Sequence, residues 1–91
     1  MTDKKEKAIR DAAHAKVLLN DEFLMNIFDQ LRSTYMDAML YTMPEETSKR
    51  ERLWQATHVV GKVKDQLKII LDGGKIAQAE IDNIAFLQTR K

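Results

Sequence analysis

Apolar residues recur along most of the chain at the three- and four-residue spacing that is typical of an α-helix. Two seams keep this spacing over several turns: Leu24, Phe28, Leu31, Tyr35, Ala38, and then Leu53, Ala56, Val60, Val63, Leu67, Ile70. Alternating steps of three and four residues keep an apolar seam facing a partner helix. No alternation of apolar and polar residues lasts long enough for a strand. The pattern therefore predicts an all-α chain.

One proline and a pair of glycines divide this pattern into four predicted helices. We expect a short helix over residues 4–19, a long one over 21–41 with Asn20 or Asp21 as its N-cap, and a second long one over 48–71. Gly73-Gly74 is predicted to end that helix, and a short tail helix follows over 76–87. Because the turn around Pro44 is short, the two long helices are expected to form an antiparallel hairpin.

The chain is expected to form a single domain, residues 1–91, because 91 residues are too few for two cores. Residues 1–20 then form the N-terminal helix, residues 21–72 the hairpin and residues 73–91 the tail. Charge favours the hairpin, since residues 17–47 hold six acids and one base and residues 48–68 hold six bases and two acids. An acidic arm is thus expected beside a basic arm, with about 0–1 kcal/mol from each exposed ion pair.

Apolar residues outside the two seams indicate that the hairpin is not alone. A two-helix seam buries too little apolar surface to offset about 1–2 kcal/mol of backbone entropy for each ordered residue. We interpret the additional residues as the interface of a homo-oligomer: Met25, Met36, Leu40, Trp54, His58 and Ile69. The alternative is a monomeric four-helix bundle in which Trp54 packs inside.

Basic residues form two clusters that are candidate DNA contacts. They lie at the N-terminus and along the second arm: Lys4, Lys5, Lys7, Arg10, and then Lys49, Arg50, Arg52, Lys64, Lys68. A homo-oligomer would repeat a weak patch and so make several phosphate contacts with double-stranded DNA at once. The alternative is a solvated flank that pairs with the acidic arm.

The tail carries apolar residues at helical spacing that are candidates for docking onto a protein partner. These are Ile81, Ile84, Phe86 and Leu87, which follow the Gly-Gly pair. The alternative is a short helix that returns onto the same hairpin.

The sequence contains no combination of residues that is typical of an active site. It has no cysteine, two isolated histidines and no glycine-rich phosphate loop after a strand. We therefore expect no catalytic activity, no metal and no cofactor. Neither a signal peptide nor an apolar run of membrane-spanning length is seen, so a cytoplasmic location without membrane contact is expected.

The order of these elements resembles the compact small terminase subunits of tailed bacteriophages and gene transfer agents. The resemblance covers about residues 20–87, with arms Phe23 to Tyr41 and Arg52 to Ile70 and the ending Ile84-Ala85-Phe86-Leu87-Gln88. It implies a ring-forming DNA-packaging component, in the host cytoplasm, whose tail engages the large terminase subunit or the portal.

The resemblance also assigns roles to individual residues. It places Trp54, Met36 and Leu40 at subunit contacts and Lys49, Arg50 and Arg52 on the DNA side. The residues before Asp21 are too few for the helix-turn-helix domain with which many members begin, so recognition of a specific packaging sequence is not expected. A second hypothesis is a helical adaptor, inhibitor or head-associated structural protein that binds a protein partner and no nucleic acid.

Overall fold

The chain folds into three α-helices, as seen in a computed structural model that describes residues 2–89 and the side chains of residues 3–88. The helices are α1 (Thr2–Leu19), α2 (Glu22–Leu40) and α3 (Thr47–Thr89). Met1, Arg90 and Lys91 lie outside the described range. The described residues include no strand, so the prediction of an all-α chain is confirmed.

Helix α2 begins and ends where its local sequence predicts. The side chain of Asp21 caps the N-terminus, because its Oδ1 accepts a hydrogen bond of 3.1 Å from the backbone N–H of Leu24. At the other end the backbone N–H of Tyr41 donates to the carbonyl of Ala38 at 3.3 Å, and the N–H of Thr42 donates to the carbonyl of Met39 at 3.2 Å. Both ends therefore have partners for backbone groups that a helix terminus leaves unpaired.

Helix α3 continues through Gly73-Gly74, so the predicted helix end and separate tail helix are wrong. No glycine has a positive φ. Gly74 is buried, and a Cβ at this position would overlap the side chain of Ala12 and lie 2.9 Å from the carbonyl oxygen of Ala8. The absent side chain lets α1 approach α3 closely, which explains why a glycine here lies inside a helix.

The chain divides into two compact units that share helix α3. The terminal unit contains α1 and the part of α3 from Gln66 onward, and the central unit is Asp21–Asp65. The sequence instead placed its boundary after residue 72, where it predicted the end of the second arm.

Small side chains make the helix contact of the terminal unit. Ala12, Ala15 and Ala77 are buried there, and Lys5 Nζ lies 3.1 Å from Glu80 Oε2 on α3. Small residues allow two helix backbones to come close, but they remove little apolar surface from water. The contact between α1 and α3 therefore depends on how closely the two helix backbones approach each other.

The apolar seams of the central unit follow the prediction with two exceptions. Leu24, Phe28, Tyr35 and Ala38 of α2 are half-buried, as are Leu53 and Ala56 of α3, and Val60 is buried. Leu31 of α2 is 39% exposed, so its prediction as a seam residue is wrong, and Val63 of α3 is 44% exposed. Lys64 is half-buried instead, with its Nζ 3.7 Å from Asp29 Oδ1. The prediction of Val63 as a seam residue is wrong, because the inward-facing position belongs to the aliphatic stem of Lys64.

We predict that Gly74→Ala destabilises the protein, whereas Gly73→Ala does not. The added methyl group at residue 74 meets Ala12 and Ala8, and overpacking of this kind costs about 1–3 kcal/mol. At residue 73 no atom lies within 4 Å of the added Cβ, so the higher helix propensity of alanine adds up to about 1 kcal/mol of stability. Urea unfolding followed by far-ultraviolet circular dichroism at one protein concentration measures both; equal effects would contradict the close contact.

Candidate interaction surfaces

Hydrogen bonds hold the turn between α2 and α3 in one conformation. The Thr42 hydroxyl donates to the carbonyl of Met39 at 2.7 Å. The backbone N–H of Met43 donates to Glu46 Oε1 at 3.0 Å, and the N–H of Glu46 donates to the carbonyl of Met43 at 2.9 Å. These bonds satisfy backbone groups at the end of α2 and before α3.

The guanidinium of Arg50 closes the same turn from α3. Its Nη1 donates to Thr42 Oγ1 at 2.9 Å and to the carbonyl of Met43 at 3.2 Å, and its Nη2 donates to the carbonyl of Pro44 at 3.4 Å. Arg50 is half-buried. This residue, a predicted DNA contact, is thus engaged in the turn.

The carboxylate of Glu46 is stabilised in its charged form. The hydrogen bond from the backbone of Met43 lowers the pKa of Glu46 below its ordinary value of 4.5, and the nearby charges of Lys49 and Arg50 lower it further. Lys49 Nζ lies 3.6 Å from Glu46 Oε2. Glu46 therefore stays ionised and bound to the turn under neutral conditions.

Although Thr42, Glu46 and Arg50 are hydrogen-bonded within it, this turn exposes large apolar side chains. Leu40 is 81% exposed, Tyr41 86% and Met43 58%. We call these three residues the turn patch. Glu45 lies beside them, exposed and in no ion pair within the described residues.

Helices α2 and α3 of the central unit also border a groove centred on Trp54. Its apolar lining is Met36, Met39 and Trp54, and its charged lining is Arg32, Lys62 and Asp65, with Thr57, His58 and Gly61 between them. The rings of Trp54 and His58 meet edge to face, with centroids 4.0 Å apart and planes at 62°. Trp54 is still 55% exposed. We call this site the Trp54 groove.

The structure brings together some of the predicted interface residues. Met36, Trp54 and His58 line the Trp54 groove, and Leu40 belongs to the turn patch. Met25 is half-buried on α2. Ile69 is exposed on α3 but belongs to the terminal unit.

Intramolecular ion pairs engage four of the nine predicted DNA contacts. These pairs are Lys5–Glu80, Lys7–Asp11, Lys49–Glu46 and Lys64–Asp29. With Arg50 in the turn, the candidates that are exposed and form no ion pair in the described chain are Lys4, Arg10, Arg52 and Lys68.

The predicted docking residues of the tail lie on the last turns of α3. Ile81 is half-buried, whereas Ile84, Phe86 and Leu87 are exposed. The apolar side chains are therefore presented by a continuous helix.

The described residues lack both a cluster of metal-binding side chains and a helix that could span a membrane. Between residues 2 and 89, no group of three or more histidine, aspartate or glutamate side chains is arranged to hold a metal ion. None of the helices there has a stretch that is both long enough and apolar enough to cross a bilayer.

Comparisons with known proteins give no relative for this chain. No family model matches it, and neither a curated protein nor a solved structure matches it significantly.

Sequence reasoning missed two parts of these surfaces. It did not predict Tyr41 and Met43 as interaction residues, although large apolar residues next to Pro44 were a usable signal. It also missed Arg32 and Lys62 as groove residues, because only the packing of α2 against α3 brings them to one site.

We predict that Arg50→Lys loosens the turn. Lysine keeps the positive charge but cannot reproduce the three guanidinium hydrogen bonds, so a loss of about 1 kcal/mol in unfolding free energy is expected. Amide hydrogen exchange at Met43 and Glu46 should also become faster. Arg52→Lys is the matched control, because Arg52 is exposed and unpaired; equal exchange rates in the two variants would contradict the role of Arg50.

Proposed function

We propose that the chain is a non-catalytic structural subunit that assembles with copies of itself. The observation that carries this proposal is the amount of surface left in water. The accessible surface of the chain is 7452 Å², whereas a folded monomer of 10.5 kDa has about 5,400 Å². The excess, about 2,000 Å² on one chain, is more than the roughly 800 Å² that each partner contributes to a stable interface of standard size.

The nature of the exposed residues supports the same proposal. The buried apolar side chains among the described residues are Ala12, Ala15, Val60 and Ala77, while exposed large apolar residues occur on all three helices. Exposed apolar surface of this extent is characteristic of interaction sites. Other copies of the chain are present wherever the chain itself is present, so they are available as partners.

We propose that α2 and the first part of α3 form an antiparallel hairpin. Asp29 pairs with Lys64, and Met39, ten residues later on α2, lines a depression with Trp54, ten residues earlier on α3. Residue numbers that rise along one helix as they fall along the other are what antiparallel helices require. A six-residue connection, residues 41–46, is short enough to join them.

The resemblance to small terminase subunits supports a more specific role in packaging viral DNA in the cytoplasm of a host cell. In this role a ring of subunits repeats the unpaired residues Lys4, Arg10, Arg52 and Lys68 around double-stranded DNA. Each contact with a phosphate is weak, but many contacts made at once by a ring of subunits raise the overall affinity for DNA. The exposed end of α3 then recruits the large terminase subunit or the portal.

A second candidate function is a helical adaptor, inhibitor or head-associated structural protein that binds a protein and no DNA. The observation that favours it is the exposure of Ile84 and Leu87 on the last turns of α3, a face that suits an apolar groove on a partner. DNA binding distinguishes the two functions.

We expect the purified protein to sediment as a homo-oligomer at concentrations of tens of micromolar. The exposed apolar surface provides the driving force, since each Å² removed from water contributes about 25 cal/mol. Sedimentation velocity over a dilution series measures the mass. A monomer throughout the series would contradict self-assembly.

If the assembled protein binds DNA, its affinity should fall steeply with salt, because log K falls by about 0.9 per log unit of salt for each phosphate contact. The double variant Arg52→Gln/Lys68→Gln should flatten this slope. The matched control is Lys7→Gln/Lys49→Gln, which removes the same charge from residues that are already paired. Fluorescence anisotropy with duplex DNA measures both. Equal slopes would remove Arg52 and Lys68 from the DNA surface, and no binding at all would favour the adaptor.

A further inference from the structure

We propose that the turn patch of one copy inserts into the Trp54 groove of a second copy. The inference rests on the proposed self-assembly and identifies the two surfaces that carry it. Both surfaces belong to the central unit, so every copy offers one turn patch and one groove.

The turn patch is apolar, exposed and already ordered, as a segment that inserts into a groove without refolding should be. Tyr41 and Leu40 have the highest exposed fractions of the large apolar side chains in the described residues, and Met43 beside them is more than half exposed. The turn that carries them is held by the hydrogen bonds of Thr42, Glu46 and Arg50. Because the backbone is already ordered, binding loses little conformational entropy there.

The Trp54 groove has the residue types that concentrate binding energy in protein interfaces. Tryptophan, methionine and arginine are enriched at such sites. The groove contains all three, in Trp54, Met36 with Met39, and Arg32. A large aromatic residue that is half in water has apolar surface available for a second molecule.

The charges of the turn and of the Trp54 groove favour a second copy of the chain as the molecule that occupies the groove. The turn carries Glu45, which has no ion pair in the described chain, next to Glu46. The groove is lined by two bases, Arg32 and Lys62, and one acid, Asp65. Glu46 lies among the positive charges of Lys49 and Arg50, so Glu45 is the carboxylate of the turn that no nearby base balances. Glu45 meets a groove with an excess of positive charge, and opposite charges orient the approach of the two molecules.

The amount of exposed surface also favours a second copy of the chain as the molecule that occupies the Trp54 groove. An excess of about 2,000 Å² per chain is more than one small ligand covers and corresponds to a contact on each of two surfaces. Insertion of the turn patch covers two exposed apolar sites at once, one on each molecule.

Two complementary variants test the insertion. Leu40→Ser/Tyr41→Ser removes the apolar turn and leaves the groove, whereas Trp54→Ala removes the centre of the groove and leaves the turn. Each variant alone should self-associate roughly tenfold or more weakly than the wild type, as expected for residues at the centre of an interface. Phe23→Ser is the matched control, because Phe23 is equally exposed on α2 but lies outside both surfaces.

Mixing the two variants gives the decisive result. The intact turn of the Trp54→Ala chain fits the intact groove of the other chain, so an equimolar mixture should form a 1:1 dimer that neither variant forms alone. Sedimentation velocity measures this, and circular dichroism confirms that each variant keeps its helices. A wild type that assembles while the mixture stays monomeric would overturn the insertion and leave the proposed self-assembly standing. A monomeric wild type would overturn both.

A charge-reversal pair provides an independent test in case Trp54→Ala fails to fold. Arg32→Glu/Lys62→Glu should weaken self-association, and Glu45→Lys should weaken it as well. Mixing these two variants should restore a 1:1 dimer through reversed ion pairs, and raising the salt concentration should weaken that dimer. Failure of the mixture to associate would contradict the proposed contact between turn and groove.

Discussion

A pair of α-helices buries one seam and leaves the rest of each helix in water, and this constraint governs the protein. Helix α2 has no fully buried residue, and the buried apolar side chains of the described chain are three alanines and one valine. Alanine removes little apolar surface, and burial contributes only about 25 cal/mol per Å². Most of the apolar surface therefore remains available to other molecules, which is the physical basis of the proposed assembly.

The turn between α2 and α3 separates polar from apolar groups. The side chains of Thr42, Glu46 and Arg50 and several backbone groups are hydrogen-bonded within the turn, so covering these groups costs little hydration. Its large apolar side chains, in contrast, are exposed. The backbone of the turn is already ordered, and most of its polar groups already have hydrogen-bond partners. Such a turn is well suited to bind apolar surface.

Several basic residues of this protein are engaged within the chain. Lys5, Lys7, Lys49 and Lys64 lie in ion pairs, and Arg50 serves the turn. Only some of the basic residues that the sequence predicts as DNA contacts are therefore available to bind phosphate. Under the proposed function, affinity for DNA comes from repetition of a few residues around an assembly rather than from one strongly basic face.

The sequence by itself determined the helical class, a cap at Asn20 or Asp21 and the seam of α2 except for Leu31, because helix spacing and capping involve residues within one turn of each other. Only the tertiary structure decided that Gly74 continues α3, that Lys64 replaces Val63 on the seam, and that Arg50 serves the turn. Each of these outcomes depends on a residue distant in sequence: Ala12 against Gly74, Asp29 against Lys64, Thr42 against Arg50. A glycine ends a helix or lets a neighbour approach according to what packs against it, and that information lies in another helix.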